Sequence, residues 1–289
     1  MNYIRKIMVK LCAFADEYSP KLLEQIQGLK SNGISYIELR NVDGKNVLDL
    51  TLEEAKNVHQ VLKDNGIKVW SIGSPIGKVD INCDFEVYKQ KVHHVCKLAN
   101  EFETDKIRMF SFFHAYEKSE LVFTYLNEMC KIASLYGVKL HHENEKDVYG
   151  DTIERVIEIM QNVDGLYYIF DPANYIQCGQ DCAVGLEKLF KTTGYLHIKD
   201  VIRETGQLVP AGYGDGNIRE MIQMVDRDIV LTIEPHLAVF EGYSNIDNTE
   251  MSHKFIFNSN KEAFNFAVKS IKELLIEGGY KEINGEFIL

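Results

Sequence analysis

The chain alternates between short β-branched or aromatic runs and longer stretches with helical periodicity, without interruption along its length. Eight of these runs predict strands, which start near Met8, Tyr36, Lys68, Lys106, Val138, Leu166, Tyr195 and Asp228. The intervening stretches predict helices over residues 20–30, 52–65, 85–100, 121–136, 152–161, 183–191 and 218–225, and a last helix over 262–276. The strand starts recur about every 30 residues, which is the length of one βα unit.

Eight βα units in series indicate an α/β protein, and we predict a (β/α)8 TIM barrel that forms a single domain over residues 1–289. A doubly wound parallel sheet divided into two domains is the alternative. Two segments exceed what a barrel needs. A long loop over 237–260 is expected to form a lid or a subunit contact, and a tail over 277–289 is an appendage.

The charge composition restricts the kinds of molecule that the protein is expected to bind. The 289 residues include 32 basic and 43 acidic side chains, giving a formal net charge of −11 at pH 7. Binding to nucleic acid or to an anionic membrane needs a basic surface, so a small-molecule partner is expected. No run reaches the ~18 apolar residues that a membrane span requires. The six cysteines form no C-x-x-C pair and no apolar leader follows the N-terminus, which together favour reduced thiols in a cytoplasmic protein.

Predicted strands five to eight each end in a side chain that can bind a metal. The endings are HHENE at 141–145, FDPAN at 170–174, LHIKD at 196–200 and IEPH at 233–236. The carboxyl ends of barrel strands share one face, so we expect convergence of Glu143, Asp171, His197 and Glu234. Three carboxylates in one place repel each other unless a cation lies among them. Three oxygen ligands and one imidazole suit Mn²⁺, Mg²⁺ or Co²⁺, with Zn²⁺ also possible.

Strand parity places two further residues beneath these side chains. His141 lies two residues before Glu143, and Thr232 lies two residues before Glu234. Side chains two apart share a face, so both are expected one layer deeper, as hydrogen-bond partners of the metal ligands. A buried histidine hydrogen-bonded elsewhere is the alternative for His141.

Three residues near the strand ends are candidates for binding substrate. Lys199 shares a face with His197, and Arg40 shares a face with Glu38 at the end of the second strand. Lys199 could meet a substrate oxygen, and Arg40 a hydroxyl, carboxylate or phosphate. His114 ends the fourth strand. A solvated lysine, an ion pair of Arg40 with a neighbouring loop and a polar rim histidine are the alternatives.

The strand endings LHHENE, IFDPANY, LHIKD and TIEPH resemble those of the xylose-isomerase-like TIM-barrel superfamily, in the sugar phosphate isomerase/epimerase branch. That branch includes ketose 3-epimerases and inosose dehydratases, and the resemblance extends from YIELR at 36–40 to the final helix. It implies one divalent metal held by Glu143, Asp171, His197 and Glu234, with both glutamates exchanging protons with the substrate on opposite faces. Asn174 stands where relatives often have a histidine that touches substrate.

These observations predict a divalent-metal-dependent isomerase or epimerase of a sugar or sugar phosphate, with Glu143 and Glu234 as catalytic residues. A metal-dependent dehydratase of an inosose or a shikimate-like acid is the alternative. A non-catalytic ligand-binding barrel and an apurinic endonuclease are weaker candidates. The acidic charge disfavours the endonuclease, as do a third strand that ends in Gly73-Ser74 and a segment after His197 that offers Lys199 and Asp200 without a further histidine. A homo-oligomer is possible, with the 237–260 segment as a candidate contact.

Overall fold

The computed structural model describes residues 6–237 and 255–289, and within them eight parallel strands close into a barrel. The strands are β1 (Met8–Ala13), β2 (Tyr36–Leu39), β3 (Lys68–Ile72), β4 (Lys106–Met109), β5 (Lys139–Glu143), β6 (Tyr167–Phe170), β7 (Thr193–Ile198) and β8 (Ile229–Ile233). Each strand pairs with its neighbours in chain order, and β1 pairs with both β2 and β8. The predicted single-domain TIM barrel is therefore confirmed.

Helices follow the strands around this barrel. Over the described residues they are α1 (Leu22–Ser31), α2 (Leu52–Asp64), α3 (Phe85–Glu101), α4 (Ser119–Leu135), α5 (Ile153–Asn162), α6 (Pro172–Gln177), α7 (Cys182–Leu189), α8 (Ile218–Gln223) and α9 (Asn260–Glu277). None of these helices is long and apolar enough to cross a bilayer. The short α6 was not predicted, because six residues are too few to show a helical period.

The barrel interior follows the alternation of each strand. Tyr195 and His197 point into the barrel, whereas Leu196 between them packs in the outer core against the helices. Cys12, Ile169, Tyr195 and Val230 fill an interior layer that carries no charge. Side chains two residues closer to the strand ends, such as His197, lie above this layer at the barrel mouth.

The tail predicted as an appendage forms part of the sheet. Strands β9 (Lys281–Ile283) and β10 (Glu286–Ile288) make an antiparallel hairpin, and β10 pairs with the first half of β1. Phe287, opposite Val9, is fully buried. The hairpin therefore continues the sheet at the end of the barrel away from the strand C-termini. Residues 238–254 of the predicted long loop lie outside the described residues.

Candidate metal centre

The four side chains predicted to bind a metal meet at the carboxyl end of the barrel. Each comes from the end of a different strand, β5 to β8, and each is at most 2% exposed. One ligand atom from each lies within 4.8 Å of the others, and the residues are Glu143, Asp171, His197 and Glu234. The strand order places them side by side, because consecutive strands of a barrel are neighbours.

His197 lies at the centre of this group. Its Nδ1 is 2.9 Å from Glu143 Oε1 and 3.0 Å from Glu234 Oε2. Its Nε2 is 3.3 Å from Glu38 Oε2, which comes from β2 on the opposite side of the barrel. Burial opposes a positive charge on the imidazole, but the surrounding carboxylates outweigh burial and raise the His197 pKa well above its usual value.

Two arginines contact the glutamates of the cluster. Arg108 on β4 places Nη1 3.2 Å from Glu143 Oε2 and 3.7 Å from Glu234 Oε1. Arg40, directly after β2, donates from Nη1 to Glu234 Oε1 at 2.8 Å. Both guanidinium groups lie against the Phe14 ring, at 4.3 Å for Arg40 and 4.9 Å for Arg108. Both glutamates of the cluster are therefore paired with buried guanidinium groups.

The remaining donors of Arg40 are used by carboxylates of the loop after β1. Arg40 forms two hydrogen bonds with Asp16, at 2.9 and 3.0 Å, and one with Glu17 at 3.3 Å. Its Nη1 is also 3.5 Å from His236 Nε2. This arrangement matches the ion pair with a neighbouring loop rather than a guanidinium free for substrate. Glu17, Glu234 and His236 form a second close group of possible ligand atoms, and Arg40 contacts all three of them.

Lys199 and Asn174 lie beside the ligands, as their sequence positions suggested. Lys199 Nζ is 3.0 Å from Asp171 Oδ2 and is almost fully buried. The Asn174 backbone N–H donates to Asp171 Oδ1 at 3.0 Å, and its side-chain amide lies 3.5 Å from Glu143 Oε1. Asp171 caps α6 through the first of these bonds, so the short helix fixes one ligand. Substrate binding by both residues stays a prediction.

The ionisation of the carboxylates differs across the cluster. Burial disfavours the charged form of Glu143, but His197 and Arg108 outweigh it and lower the pKa to about 2. Burial raises the pKa of Asp171 to about 7; the Lys199 ammonium opposes this rise, while neighbouring carboxylates add to it. At Glu234 burial is likewise outweighed, by Lys199 and His197, and the pKa lies well below its usual value, so both glutamates ionise more readily than Asp171.

The residues predicted beneath the ligands have other partners. His141 is buried and stacks on Tyr167, with ring centroids 5.0 Å apart, and contacts Tyr195 at 5.3 Å. It matches the buried-histidine alternative. Thr232 donates to Glu38 Oε2 at 3.0 Å rather than to Glu234. Thr232 therefore helps to orient Glu38, the carboxylate that contacts His197 Nε2.

His114, predicted to reach substrate, lies at an exposed rim position. Its side chain is 78% exposed, and its Nδ1 lies 2.7 Å from Asp80 Oδ2. This position matches the polar-rim alternative.

Several buried charged residues of the site were not assigned a role from the sequence. Glu38 and Arg108 each lie between two apolar residues of a buried strand, so parity alone places their charges inside the barrel. That signal could have identified both. The others lie in a short 3₁₀ turn (Asp16 and Glu17) or in the segment after β8 (His236), and neither gives a periodic signal in the sequence.

The donor set fits a divalent cation. Asp171 Oδ2 and Glu234 Oε2 are buried oxygens that accept no well-directed hydrogen bond from the described residues. Each instead has a close cationic neighbour, Lys199 or His197, at 3.0 Å. Buried carboxylate oxygens with unused lone pairs beside an imidazole are typical metal ligands.

The glycine-rich loop after β7 is occupied by a side chain of the protein itself. Backbone N–H groups of Gly212, Gly214 and Gly216 donate to the Asp200 carboxylate at 2.9, 3.1 and 2.8 Å. The Val201 N–H donates to it as well, at 2.9 Å. The loop is therefore built around Asp200 and not around a phosphate.

Comparisons with known proteins agree with this fold. A family model described as "Xylose isomerase-like TIM barrel" matches residues 26–255. A curated relative, 3-dehydroshikimate dehydratase from Bacillus anthracis, is 25% identical over 265 residues, which cover 82% of this chain and 91% of the relative.

Solved structures share the fold at lower identity. An L-ribulose 3-epimerase has a TM-score of 0.71 and 16% identity, with 94% of this chain and 96% of that chain covered. The IOLI protein with a binding zinc atom has a TM-score of 0.69 and 16% identity, with 93% and 98% covered. Similar folds therefore include an epimerase and a protein that binds a metal.

Proposed function

The chain belongs to the xylose isomerase-like TIM barrel family, and we propose that it is a divalent-metal-dependent isomerase or epimerase of a small sugar or sugar phosphate. The observation that carries this proposal is the buried convergence of two glutamates, one aspartate and one histidine within 4.8 Å. Proton transfer at a carbon next to a carbonyl needs a base on that carbon and stabilisation of the negative charge on the carbonyl oxygen.

The metal would be held by Glu143, Asp171, His197 and Glu234. An oxygen-rich set with one imidazole favours Mn²⁺, Mg²⁺ or Co²⁺ and also accepts Zn²⁺. When bound, such a cation supplies Lewis-acid stabilisation of charge on a substrate oxygen, which contributes several kcal/mol.

The two glutamates supply the proton chemistry. Glu143 and Glu234 come from different strands and both contact His197 Nδ1, at 2.9 and 3.0 Å. One carboxylate can remove a proton from the carbon next to the carbonyl, and the other can return a proton from the far face, which inverts the carbon. Return of the proton to the former carbonyl carbon instead interconverts an aldose and a ketose.

Lys199 and Asn174 position the reacting groups. Lys199 Nζ lies 3.0 Å from Asp171 and carries a charge close to the site, so it is placed to hold a substrate oxygen. The Asn174 amide donates to Asn144 O at 2.8 Å and lies beside Glu143, which keeps that glutamate in one orientation.

Dehydration of a shikimate-like acid is the second candidate, and the 25% identical dehydratase favours it. The first step is the same removal of a proton by a glutamate. The electron pair of the broken C–H bond then forms a C=C bond, the adjacent C–O bond breaks, and the leaving hydroxide takes up a proton to give water. A single base and a nearby acid suffice for this outcome.

Nuclear magnetic resonance in D₂O separates the candidates. Purified protein is incubated with Mn²⁺ or Mg²⁺ and a panel of ketoses, ketose phosphates, inososes and 3-dehydroshikimate. An isomerase or epimerase incorporates deuterium next to the carbonyl and forms a reversible sugar product. A dehydratase forms a product with one additional C=C bond, whose ultraviolet absorption differs from that of the substrate, and forms no reversible sugar product.

Substitution of the glutamates tests the assignment of the base. We expect Glu143→Gln and Glu234→Gln to lose turnover, whereas Glu103→Gln, an exposed glutamate after α3, keeps it. Full activity of the Glu234→Gln protein would contradict the two-glutamate mechanism.

A further inference from the structure

A cavity of about 630 Å³ opens beside the candidate metal centre. Arg40 and Arg108, which contact the glutamates of the cluster, form part of its wall. Phe110, directly after β4, forms an apolar part of the same wall. The cavity therefore borders the two arginines that contact the cluster.

The cavity is rich in positive charge although the protein is acidic. Five of its lining residues are cationic and only two, Asp16 and Asp49, are anionic; the cationic ones are Arg40, Lys45, Lys78, Lys91 and Arg108. The whole chain has a formal charge of −11. A local surplus of cations in such a chain indicates a preference for an anionic ligand.

Four of these five cations are paired with carboxylates of the protein, and Lys91 is not. Arg40 and Arg108 are paired with carboxylates of the site, and Lys45 is paired with Glu54. Lys91, in contrast, lies at an exposed position and has no carboxylate within 4.0 Å among residues 6–237 and 255–289. An ammonium with no counter-ion at a cavity wall is free to bind an incoming anion.

Lys78 is held in place at the same wall. Its Nζ lies 2.8 Å from Glu145 Oε2 and 4.3 Å from the centre of the Phe110 ring, and its side chain is only 15% exposed. Gly77 precedes it with φ +89°, and a Cβ there would lie 2.0 Å from Phe110 O. The close backbone contact restrains the loop, and the contacts with Glu145 and Phe110 hold the ammonium beside the cavity.

Arg108 connects the cavity with the cluster. Its Nη1 contacts Glu143, and its Nη2 donates to Gly73 O at 3.2 Å. Its Nε is buried and has no hydrogen-bond partner among the described residues. A buried N–H donor without an acceptor is costly, and an anion bound beside it would satisfy it.

We propose that this cavity binds an anionic substituent of the substrate, a carboxylate or a phosphate, through Lys78 and Lys91. The substrate is then a sugar phosphate or a polyhydroxylated acid, and a neutral sugar binds poorly. This inference rests on the proposed function in one respect: the reacting end of the substrate is taken to lie at the metal cluster. Charge-assisted hydrogen bonds to one lysine are expected to strengthen binding by about 10- to 100-fold.

Isothermal titration calorimetry with matched ligand pairs tests the proposal on the full chain loaded with Mn²⁺. One pair is D-ribulose 5-phosphate and D-ribulose, and the other is 3-dehydroshikimate and its methyl ester. We expect the anionic member of one pair to bind at least about tenfold more tightly than its neutral partner, and less so at high salt. A preference in the first pair identifies a phosphate, and one in the second a carboxylate. No preference in either pair overturns the proposal.

Two lysine variants and a control locate the anion. Lys78→Met and Lys91→Met are each expected to reduce the preference by about tenfold. The control Lys131→Met changes an exposed lysine on α4 and should leave the preference intact. An unchanged preference in both cavity variants would overturn the assignment.

These experiments can reject the anion subsite and the proposed function separately. If the lysine-dependent preference is found but no ligand exchanges deuterium or dehydrates, the proposed function is wrong and the anion subsite stands. If a neutral sugar turns over without any preference for anions, the subsite is wrong and the proposed function stands.

Discussion

Glu38 Oε2 lies 3.3 Å behind Nε2 of His197, while Nδ1 of the same ring lies 2.9 Å from Glu143 Oε1. The imidazole is thus held between a carboxylate of β2 and the carboxylates of the cluster. Tyr195 and Thr232 donate to Glu38 at 2.8 and 3.0 Å, so its own orientation is fixed as well. A histidine held in this way presents one defined nitrogen to a metal.

Glu38→Gln is expected to weaken metal binding by about 10- to 100-fold, because it removes the carboxylate that orients His197. Competition with a chromophoric chelator measures the affinity. Tyr195→Phe removes a single hydrogen bond to Glu38 and should have a much smaller effect. Equal affinities of wild type and Glu38→Gln would show that the carboxylate does not position the ring.

Arg40→Met is expected to lower the free energy of unfolding by about 3–5 kcal/mol, because three buried carboxylates lose their common counter-ion. Urea unfolding, with the midpoint and slope compared between variants, gives the change. Lys131→Met breaks an exposed ion pair with Glu128 and should leave the midpoint unchanged. An unchanged urea midpoint in the Arg40→Met protein would mean that Arg40 is not needed to stabilise these buried carboxylates.

Asp200→Asn is expected to speed hydrogen exchange of the Gly212, Gly214 and Gly216 amides by about 10- to 100-fold. Each of these N–H groups donates to the buried Asp200 carboxylate, and hydrogen bonds to a charged acceptor contribute about 1.5–3 kcal/mol. Exchange in the Asp164→Asn protein, changed at an exposed position, serves as the control. Unaltered exchange at all three glycines would show that the loop keeps its shape without Asp200.

Gly77→Ala and Gly44→Ala form a matched pair at positive φ, +89° and +79°. Gly44 has no atom within 4 Å of an added Cβ, so only backbone strain of about 1–2 kcal/mol is expected. At Gly77 the Cβ would meet Phe110 O at 2.0 Å, which adds about 1–3 kcal/mol. Equal unfolding midpoints for the two variants would contradict the close contact.

The order of the strands and helices and the convergence of four side chains could both be predicted from the sequence. Strand starts such as Met8, Tyr36 and Lys68 match the structure, because each barrel strand carries its own apolar run. In a barrel, the carboxyl ends of all eight strands lie on the same face. Residues that end neighbouring strands therefore meet, whatever loops separate them.

Contacts across the barrel could not be read in this way. Glu38 meets His197 across 159 positions of chain, and parity shows only that both point inward. Arg40 was considered for substrate, but the turn after β1 brings Asp16 and Glu17 onto it, and that 3₁₀ turn has no periodic signal. Such pairings depend on the tertiary structure of the loops.

Elemental analysis of the purified protein tests the central claim most directly. After loading with Mn²⁺ and removal of free ions, wild type should hold about one ion per chain. His59→Ala, a histidine on α2, should hold the same amount, and His197→Ala should hold almost none. A wild-type protein without metal, or a His197→Ala protein that retains a full equivalent, would contradict the account.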